Sequence, residues 1–227
     1  MKFFLDSCNV DEIKEISDYG FIDGVTTDPT SIAHEVAKGN TTEQVITSII
    51  KLVNGEVHIQ VVTQDFDTIM SQALKIHSLG MNVIVKIPAT LVGLKAILKL
   101  NDKKIKCSAS SVYNSVQAIM AAQNYAEYVS IRTGIIDENG KDGMELAYSV
   151  NETLKNNKFD SKVLITNISN PEHIVRAGIM GVGAISVPYN LIKTLGSHIN
   201  TVDDITKYME DWNKIPESSR TFFNMKA

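Results

Sequence analysis

The chain has 227 residues, of which 44% are hydrophobic and 21% are charged, which is ordinary for a globular protein. Its 22 basic and 26 acidic residues give a net charge of −4, which argues against a nucleic-acid partner because such binding needs a basic face. No apolar run approaches 18 residues, so no membrane span is predicted, and the acidic Asp6 comes too early for a signal-peptide core. The two cysteines form no disulfide framework, and we expect a reduced, cytoplasmic protein.

Short apolar segments alternate with helical patterns along the whole chain. The predicted strands cover residues 2–5, 21–26, 57–62, 82–87, 105–110, a segment beginning at Tyr128, 162–168 and 184–187. The clearest predicted helices cover residues 42–54, 114–122, 144–154 and 190–195, and a last one lies near 202–212. Asn9, Asp28 and Asn170 are predicted helix N-caps, because each is followed by a helical pattern and two of them by a proline at the first helical position.

The order of these elements predicts the fold class. Apolar strands without strict alternation are typical of a parallel sheet that is covered on both faces. Eight strand–helix units in 227 residues predict an α/β fold, a single-domain (β/α)8 TIM barrel, with an extra C-terminal helix and tail over about 202–227. A doubly wound sheet is the alternative, because periodicity does not reveal whether the eighth strand pairs with the first. Phe222 and Phe223 in the tail fit equally well docking on a neighbouring subunit or packing on their own barrel.

Polar residues stand at the predicted C-terminal end of nearly every strand, where barrel enzymes place their active sites. They are Asp6, Thr26, Asp28, Gln60, Lys86, Ser110, Arg132, Asn167 and Ser186. Lys86 is the strongest candidate, because lysine is almost never fully buried without a role. Desolvation lowers the pKa of a lysine, and a neutral amine can form a Schiff base with a ketone. The alternative is a structural lysine whose ammonium group reaches solvent from an apolar strand.

The other candidates have structural explanations of varying strength. Asp6 is suited to proton transfer, or to holding a substrate hydroxyl beside the lysine, but a turn aspartate would explain it as well. Asp28 precedes Pro29 and is a favourable helix N-cap. Gln60 lies in an apolar strand and must be hydrogen-bonded if it is buried, so it could position a water or a hydroxyl. Ser110 could do the same, or it could simply begin a loop.

No metal or cofactor site is predicted. The five histidines are scattered along the chain without metal-ligand spacing. Gly178, Gly181 and Gly183 precede a predicted strand instead of opening a helix, which is the wrong context for a dinucleotide-binding loop. The chain also has neither a nucleophile elbow nor a Walker loop.

Two segments at strand ends are specific: residues 26–29 read Thr-Thr-Asp-Pro, and residues 85–88 read Val-Lys-Ile-Pro. Together with residues 1–6, 126–130 and 142–146, they make the chain resemble the small bacterial transaldolases and fructose-6-phosphate aldolases over nearly its whole length. The resemblance implies a (β/α)8 barrel, a class I aldolase mechanism without a metal, and a cytoplasmic homo-oligomer, either a pentamer or a decamer.

The same resemblance assigns roles to individual residues. Lys86 falls on the Schiff-base lysine of the family, and Asp6 falls on its proton-handling aspartate. Gln60 matches the aldolase branch, because true transaldolases carry glutamate there. Ser110 takes the place of a threonine that helps to bind the catalytic water. Asp28 departs from the family, which usually has asparagine at this position.

Further departures concern the residues with which the family binds the substrate phosphate. Arg132 stands where the family has an aromatic residue, the tyrosine acid of the aldolase branch, and Ile135 stands where it has arginine. The segment Asn167-Ile168-Ser169 lacks the cation expected after strand seven. Each missing charge-assisted contact would be worth about 1.5–3 kcal/mol. Arg132 can restore one cation, and Asn167 and Ser169 can add neutral donors.

Three functions remain open at this point. The first is a Schiff-base transaldolase or aldolase that cleaves a ketose at C3–C4 and passes a dihydroxyacetone unit to water or to an acceptor aldehyde. Its substrate would be fructose 6-phosphate, a sulfonate such as 6-deoxy-6-sulfofructose, or an unphosphorylated ketose. The second is a non-catalytic sugar-binding or scaffold protein, against which Lys86 and Asp6 argue. The third is a deoxyribose-phosphate type of aldolase, which the chain resembles less.

Overall fold

The computed structural model describes residues 1–220, so Phe222 and Phe223 lie outside the described residues. The chain divides into two compact units, Met1–Leu191 and Ile192–Ala227. The single-domain organisation expected from the sequence stays a prediction. None of the helices within residues 1–220 has the length and apolarity that a membrane span needs.

The first unit contains eight parallel strands that close into a barrel. They are β1 (Lys2–Asp6), β2 (Gly24–Thr26), β3 (Glu56–Gln60), β4 (Val83–Pro88), β5 (Cys107–Val112), β6 (Tyr128–Arg132), β7 (Lys162–Thr166) and β8 (Ala184–Pro188). Each strand pairs with the next one in chain order, and β8 pairs with β1 from Lys2 opposite Ala184 to Asp6 opposite Pro188. This closure confirms the TIM barrel and rules out the doubly wound sheet, in which the edge strands have no partner.

Helices follow the strands around the barrel. They are α1 (Val10–Ser17), α2 (Pro29–Val36), α3 (Thr42–Leu52), α4 (Phe66–His77), α5 (Leu91–Asn101), α6 (Ser115–Gln123), α7 (Thr133–Glu138), α8 (Gly143–Asn156), α9 (Pro171–Met180) and α10 (Tyr189–Leu195). The three predicted N-caps are confirmed, because the side chains of Asn9, Asp28 and Asn170 each accept a hydrogen bond from a backbone N–H in the first turn of their helix. These caps fix where the chain turns at the C-terminal ends of the strands, which is the end that carries the candidate site.

The described part of the second unit is helical. It contains α11 (Ile199–Asn213), which begins three residues before the predicted 202–212, and a short 3-10 helix (Glu217–Ser219). The extra C-terminal helix expected from the sequence is therefore present. By their spacing, Ile199, Val202, Ile205 and Met209 share one face of α11.

Several element boundaries differ from those predicted. Strand β2 begins at Gly24 and not at residue 21, because Phe21 is exposed and its ring packs against those of Phe3 and Tyr19 outside the sheet. Strand β7 ends at Thr166, because Asn167 adopts a left-handed backbone with a φ of 59°. Helix α7 was not predicted. It has six residues and no side-chain cap, so it lacks the sequence signals of a helix start.

The end of the barrel opposite the candidate site holds a cluster of polar side chains, which we call the basal cluster: Lys2, Glu56, His58 and Tyr128. The ammonium group of Lys2 lies 2.6 Å from Glu56 Oε1, and the Tyr128 hydroxyl donates to Oε2 over 2.7 Å. The imidazole Nε2 of His58 lies 3.6 Å from the same Oε2. Burial raises the pKa of Glu56, but His58, Lys2 and Tyr128 lower it more strongly, to about 2.

Candidate active site

A cavity of about 310 Å³ opens at the C-terminal ends of the strands. Most of the residues singled out from the sequence line it, namely Asp6, Thr26, Asp28, Gln60, Lys86, Ser110, Arg132 and Asn167. They come from β1 to β7 and the loops that follow these strands, so residues far apart in sequence meet at one place. Their convergence makes this cavity the candidate active site.

Two residues singled out from the sequence do not line the cavity. Ser186 is fully buried on β8, where its hydroxyl lies 2.5 Å from the Thr26 hydroxyl, so it supports a lining residue from behind. Ser169 is exposed in the loop before α9 and lies outside the cavity lining. The expectation that Ser169 contributes a donor to the cavity therefore finds no support in the structure.

The structure adds lining residues that the sequence did not single out. They are Pro29, Thr30, Ser111, Ser130 and Thr166. A signal for Ser130 was available, because it lies two positions before Arg132 on β6 and side chains two apart on a strand share a face. Thr166 and Asn167 are consecutive, and both reach the cavity because the left-handed backbone at Asn167 re-aims the chain.

Lys86 lies on β4 and is only 8% exposed. Its Nζ donates a 2.6 Å hydrogen bond to the backbone carbonyl of Thr27, in the loop between β2 and α2. Burial lowers the pKa of Lys86, and the carboxylates of Asp6 and Asp28 partly oppose this shift. The amine is therefore easier to deprotonate than that of an exposed lysine, which is what a nucleophilic amine needs.

Asp6 ends β1 and accepts a hydrogen bond of 3.1 Å from the Thr26 hydroxyl. Burial raises the pKa of Asp6, while Lys86, the Thr26 hydroxyl and Arg132 lower it; the net shift is upward. The opposite shifts bring the pKa values of this carboxyl and this amine closer together, which favours proton exchange with a bound molecule.

Gln60 and Ser110 stand on strands that flank β4. Gln60 pairs in register with Lys86, and Ser110 pairs with Pro88, two positions further along β4. The Ser110 hydroxyl is buried and has no hydrogen-bond partner within residues 1–220. Buried polar groups are rarely left unpaired, so this hydroxyl is available to a water or to a substrate.

On the far side of the cavity, Arg132 ends β6. Its guanidinium makes no hydrogen bond or ion pair to any described residue, although it lines the cavity. The amide oxygen of Asn167 is also buried and without a partner among residues 1–220. Gly134 lets Asn167 approach closely, because a Cβ at position 134 would lie 2.2 Å from the Asn167 carbonyl oxygen and 2.7 Å from Oδ1. Arg132 at the end of β6 and Asn167 directly after β7 thus contribute a guanidinium and an amide oxygen that have no partner among residues 1–220.

The closed barrel and a buried lysine at the C-terminal ends of its strands define the class of protein, a (β/α)8-barrel enzyme with aldolase-type chemistry. The family described as Transaldolase/Fructose-6-phosphate aldolase matches residues 3–226. The chain belongs to this family.

Individual relatives agree with this assignment. The chain is 40% identical over 215 residues to a probable transaldolase of Thermoplasma volcanium, covering 95% of this chain and 96% of the relative. It is 36% identical to a probable transaldolase of Desulforapulum autotrophicum, covering 94% and 98%. It is 34% identical to one of Aquifex aeolicus, covering 96% and 99%. The similarity therefore extends over the barrel and beyond it.

Proposed function

We propose that the protein is a class I transaldolase or aldolase that uses Lys86 as a Schiff-base lysine to cleave a ketose or to transfer its dihydroxyacetone unit. The observation that carries this proposal is the Lys86 amine, which is buried in a polar cavity beside Asp6. The pKa of the amine is lowered and that of the carboxyl is raised, so a nucleophile and a proton acceptor stand together.

The chemistry runs in balanced steps. The neutral amine of Lys86 attacks the ketose C2 and a C–N bond forms; the C2 hydroxyl then takes a proton from Asp6 and leaves as water, which gives an iminium ion and the Asp6 carboxylate. Asp6 takes the proton of the C4 hydroxyl while the C3–C4 bond breaks. The electron pair of the C3–C4 bond flows into the iminium and forms an enamine. An aldehyde leaves, and the dihydroxyacetone unit stays bound to Lys86.

The enamine then has two fates. Its C3 can attack the carbonyl of an acceptor aldehyde, and Asp6 returns its proton to the new hydroxyl, which is transaldolase chemistry. Water then adds to the new iminium, the product ketose leaves, and the Lys86 amine and the protonated Asp6 are restored. Alternatively, C3 takes the proton, and water adds to the iminium to release dihydroxyacetone. We propose that Gln60 and Ser110 hold that water, because both line the cavity and the Ser110 hydroxyl has no partner within residues 1–220.

The charge distribution supports a substrate with one anionic end. Arg132 lies on β6, across the barrel from the Asp6 and Thr26 side, and its guanidinium is unpaired among the described residues. Thr166 and Asn167 add neutral polar groups beside it. We propose fructose 6-phosphate as the first candidate, with its phosphate on Arg132. A ketose with a sulfonate, such as 6-deoxy-6-sulfofructose, is the second, because a monoanion can be balanced by a single guanidinium.

Borohydride trapping tests the Schiff base. With dihydroxyacetone or fructose 6-phosphate present, reduction should add the donor irreversibly to Lys86, and mass spectrometry of the digested protein locates the adduct. The variant Lys86→Met should give no adduct, whereas Lys95→Met, which removes an exposed lysine, should behave as wild type. If no adduct formed with fructose 6-phosphate, 6-deoxy-6-sulfofructose or dihydroxyacetone, the result would favour the hypothesis of a non-catalytic protein.

A matched assay separates the substrates and the outcomes. Fructose 6-phosphate and 6-deoxy-6-sulfofructose are each supplied at equal concentration, with and without an acceptor aldehyde. A higher kcat/KM for one of them identifies the preferred anion. Dependence of turnover on the acceptor identifies a transaldolase, whereas release of dihydroxyacetone without acceptor identifies an aldolase.

We also propose a cytoplasmic homo-oligomer, a pentamer or a decamer, as the sequence resemblance implies. The apolar face of α11, formed by Ile199, Val202, Ile205 and Met209, is the candidate contact. Sedimentation of the whole chain and of the variant Ile205→Glu measures this directly. A monomeric wild-type protein would contradict the proposal.

A further inference from the structure

Asp28 is a second carboxylate in the cavity, and the mechanism above gives it no chemical step. It is the N-cap of α2, with an extended backbone (φ −140°, ψ 164°), and its Oδ1 accepts a 2.8 Å hydrogen bond from the N–H of Ser31. No described residue donates a hydrogen bond to its other oxygen, Oδ2. One oxygen is thus used by the helix, and the other remains available in the cavity.

The loop that carries Asp28 also holds the Lys86 amine. The Nζ of Lys86 donates to the carbonyl of Thr27 over 2.6 Å. Thr27 is itself fixed, because its N–H and its hydroxyl both donate to the carbonyl of His58, over 3.0 Å and 2.8 Å. The residue directly before Asp28 is therefore tied to β3 on one side and to the reactive amine on the other.

We propose that Asp28 is the counter-ion of Lys86 in its two positively charged forms, the resting ammonium and the iminium of the substrate adduct. This inference rests on the proposed Schiff-base function. An opposite charge nearby favours the charged form of a group, so Asp28 opposes the effect of burial on the amine. Asp28 raises the pKa of Lys86 accordingly. It acts through Lys86, and we therefore call it a positioning residue.

Other ionisable groups face Lys86 from the surrounding elements. Asp6 on β1 raises the pKa of the amine and Arg132 on β6 lowers it. The thiol of Cys8 has its pKa raised by burial to about 12, so it is neutral near pH 7. Burial lowers the pKa of His58 on β3, which keeps that imidazole neutral too. Asp6 changes protonation within the proposed cycle, whereas Asp28 is the carboxylate that takes part in no proton transfer of that cycle.

The variant Asp28→Asn isolates this charge. Asparagine caps a helix about as well as aspartate and has the same shape, so α2 should be preserved. The rate of borohydride-trapped adduct formation with dihydroxyacetone is measured by intact mass from about pH 5 to 10, since only the neutral amine attacks. We expect the midpoint of this profile to fall by about one pH unit. Below the wild-type midpoint, the fraction of Lys86 in the neutral, reactive form should then be up to about tenfold larger.

Asp65→Asn is the matched control. Asp65 is the N-cap of α4 and accepts from the N–H of Thr68, but it is exposed and does not line the cavity. It undergoes the same chemical change in the same local role, and its profile should match wild type. Asp28→Ser, a second uncharged cap, should reproduce the shift of Asp28→Asn.

The outcomes distinguish a failure of the counter-ion role of Asp28 from a failure of the proposed Schiff-base function. A wild-type adduct on Lys86, with the same midpoint in Asp28→Asn, would overturn the counter-ion role and leave the Schiff base intact. A shift in only one of the two uncharged variants would also overturn it, because a charge effect must appear in both. If wild-type Lys86 gave no adduct at any pH, the proposed function itself would fail.

Discussion

Replacing Glu56 with glutamine measures how much the basal cluster stabilises the barrel. The carboxylate of Glu56 is 18% exposed and contacts Lys2, His58 and Tyr128. Its pKa falls from 4.5 to about 2 on folding, and each unit corresponds to about 1.36 kcal/mol. The charged form therefore contributes about 3 kcal/mol at pH 7. Glutamine keeps an oxygen acceptor, so we expect Glu56→Gln to lower the free energy of unfolding by about 2–3 kcal/mol.

The effect has a defined pH dependence. Because the folded-state pKa of Glu56 is depressed, its contribution is complete above the unfolded value of 4.5 and is lost as the pH falls towards 2. The difference between wild type and Glu56→Gln should therefore be constant from about pH 7 to 5 and shrink to less than half near pH 3. Urea unfolding followed by circular dichroism at each pH gives the two free energies.

Glu127→Gln provides the comparison. Glu127 pairs with Lys162 at 2.7 Å, but the Lys162 side chain is 46% exposed, and such surface pairs contribute only about 0–1 kcal/mol. If Glu56→Gln were no more destabilising than Glu127→Gln, the reasoning about the basal cluster would be refuted. A difference that grew as the pH fell would refute the assigned direction of the pKa shift.

Three further predictions concern the cavity. Arg132→Ala should lower kcat/KM for fructose 6-phosphate about 10- to 100-fold, which corresponds to a loss of about 1.5–3 kcal/mol of binding free energy. Adduct formation with dihydroxyacetone, which has no anionic end, should be unchanged. Equal losses in the two assays would assign Arg132 to the chemistry. Gly134→Ala should lower the melting temperature and raise KM, because its Cβ would overlap the Asn167 carbonyl, whereas Gly178→Ala, where a Cβ meets nothing within 4 Å, should do neither. Ser110→Ala should slow release of dihydroxyacetone by water more than the initial adduct formation, which pre-steady-state kinetics can separate; an equal slowing would exclude a specific role in holding water.

Most of the barrel could be predicted because its strands and caps follow local rules. Short apolar runs marked every strand, and the side chains of Asn9, Asp28 and Asn170 cap their helices as their sequence context predicted. Closure could not be predicted from periodicity, because the pairing of β1 with β8 joins the two ends of the sequence. Helix α7 was missed because a six-residue helix without a side-chain cap leaves no periodic signal.

The candidate site was predictable where a polar residue stood at or near the C-terminal end of an apolar strand. Lys86, Asp6, Gln60 and Arg132 are in this class, and all line the cavity. Ser169 is exposed outside the cavity lining, in the loop that follows the left-handed residue Asn167, and a sequence does not show the sign of φ at an asparagine. Thr166 and Ser130 were missed because short hydroxyl side chains within strands look like ordinary strand residues.

Barrel stability and substrate binding depend on residues at opposite ends of the strands. Barrel closure is reinforced by Lys2, Glu56 and Tyr128 at one end of the strands, while the cavity that meets substrate lies at the other. Substitutions at the cavity end, for example at Arg132, therefore leave in place the ion pair that stabilises the closed sheet. Directed evolution of the residues around Lys86 and Asp6 can accordingly proceed with the basal cluster unchanged, so that its contribution to stability is retained.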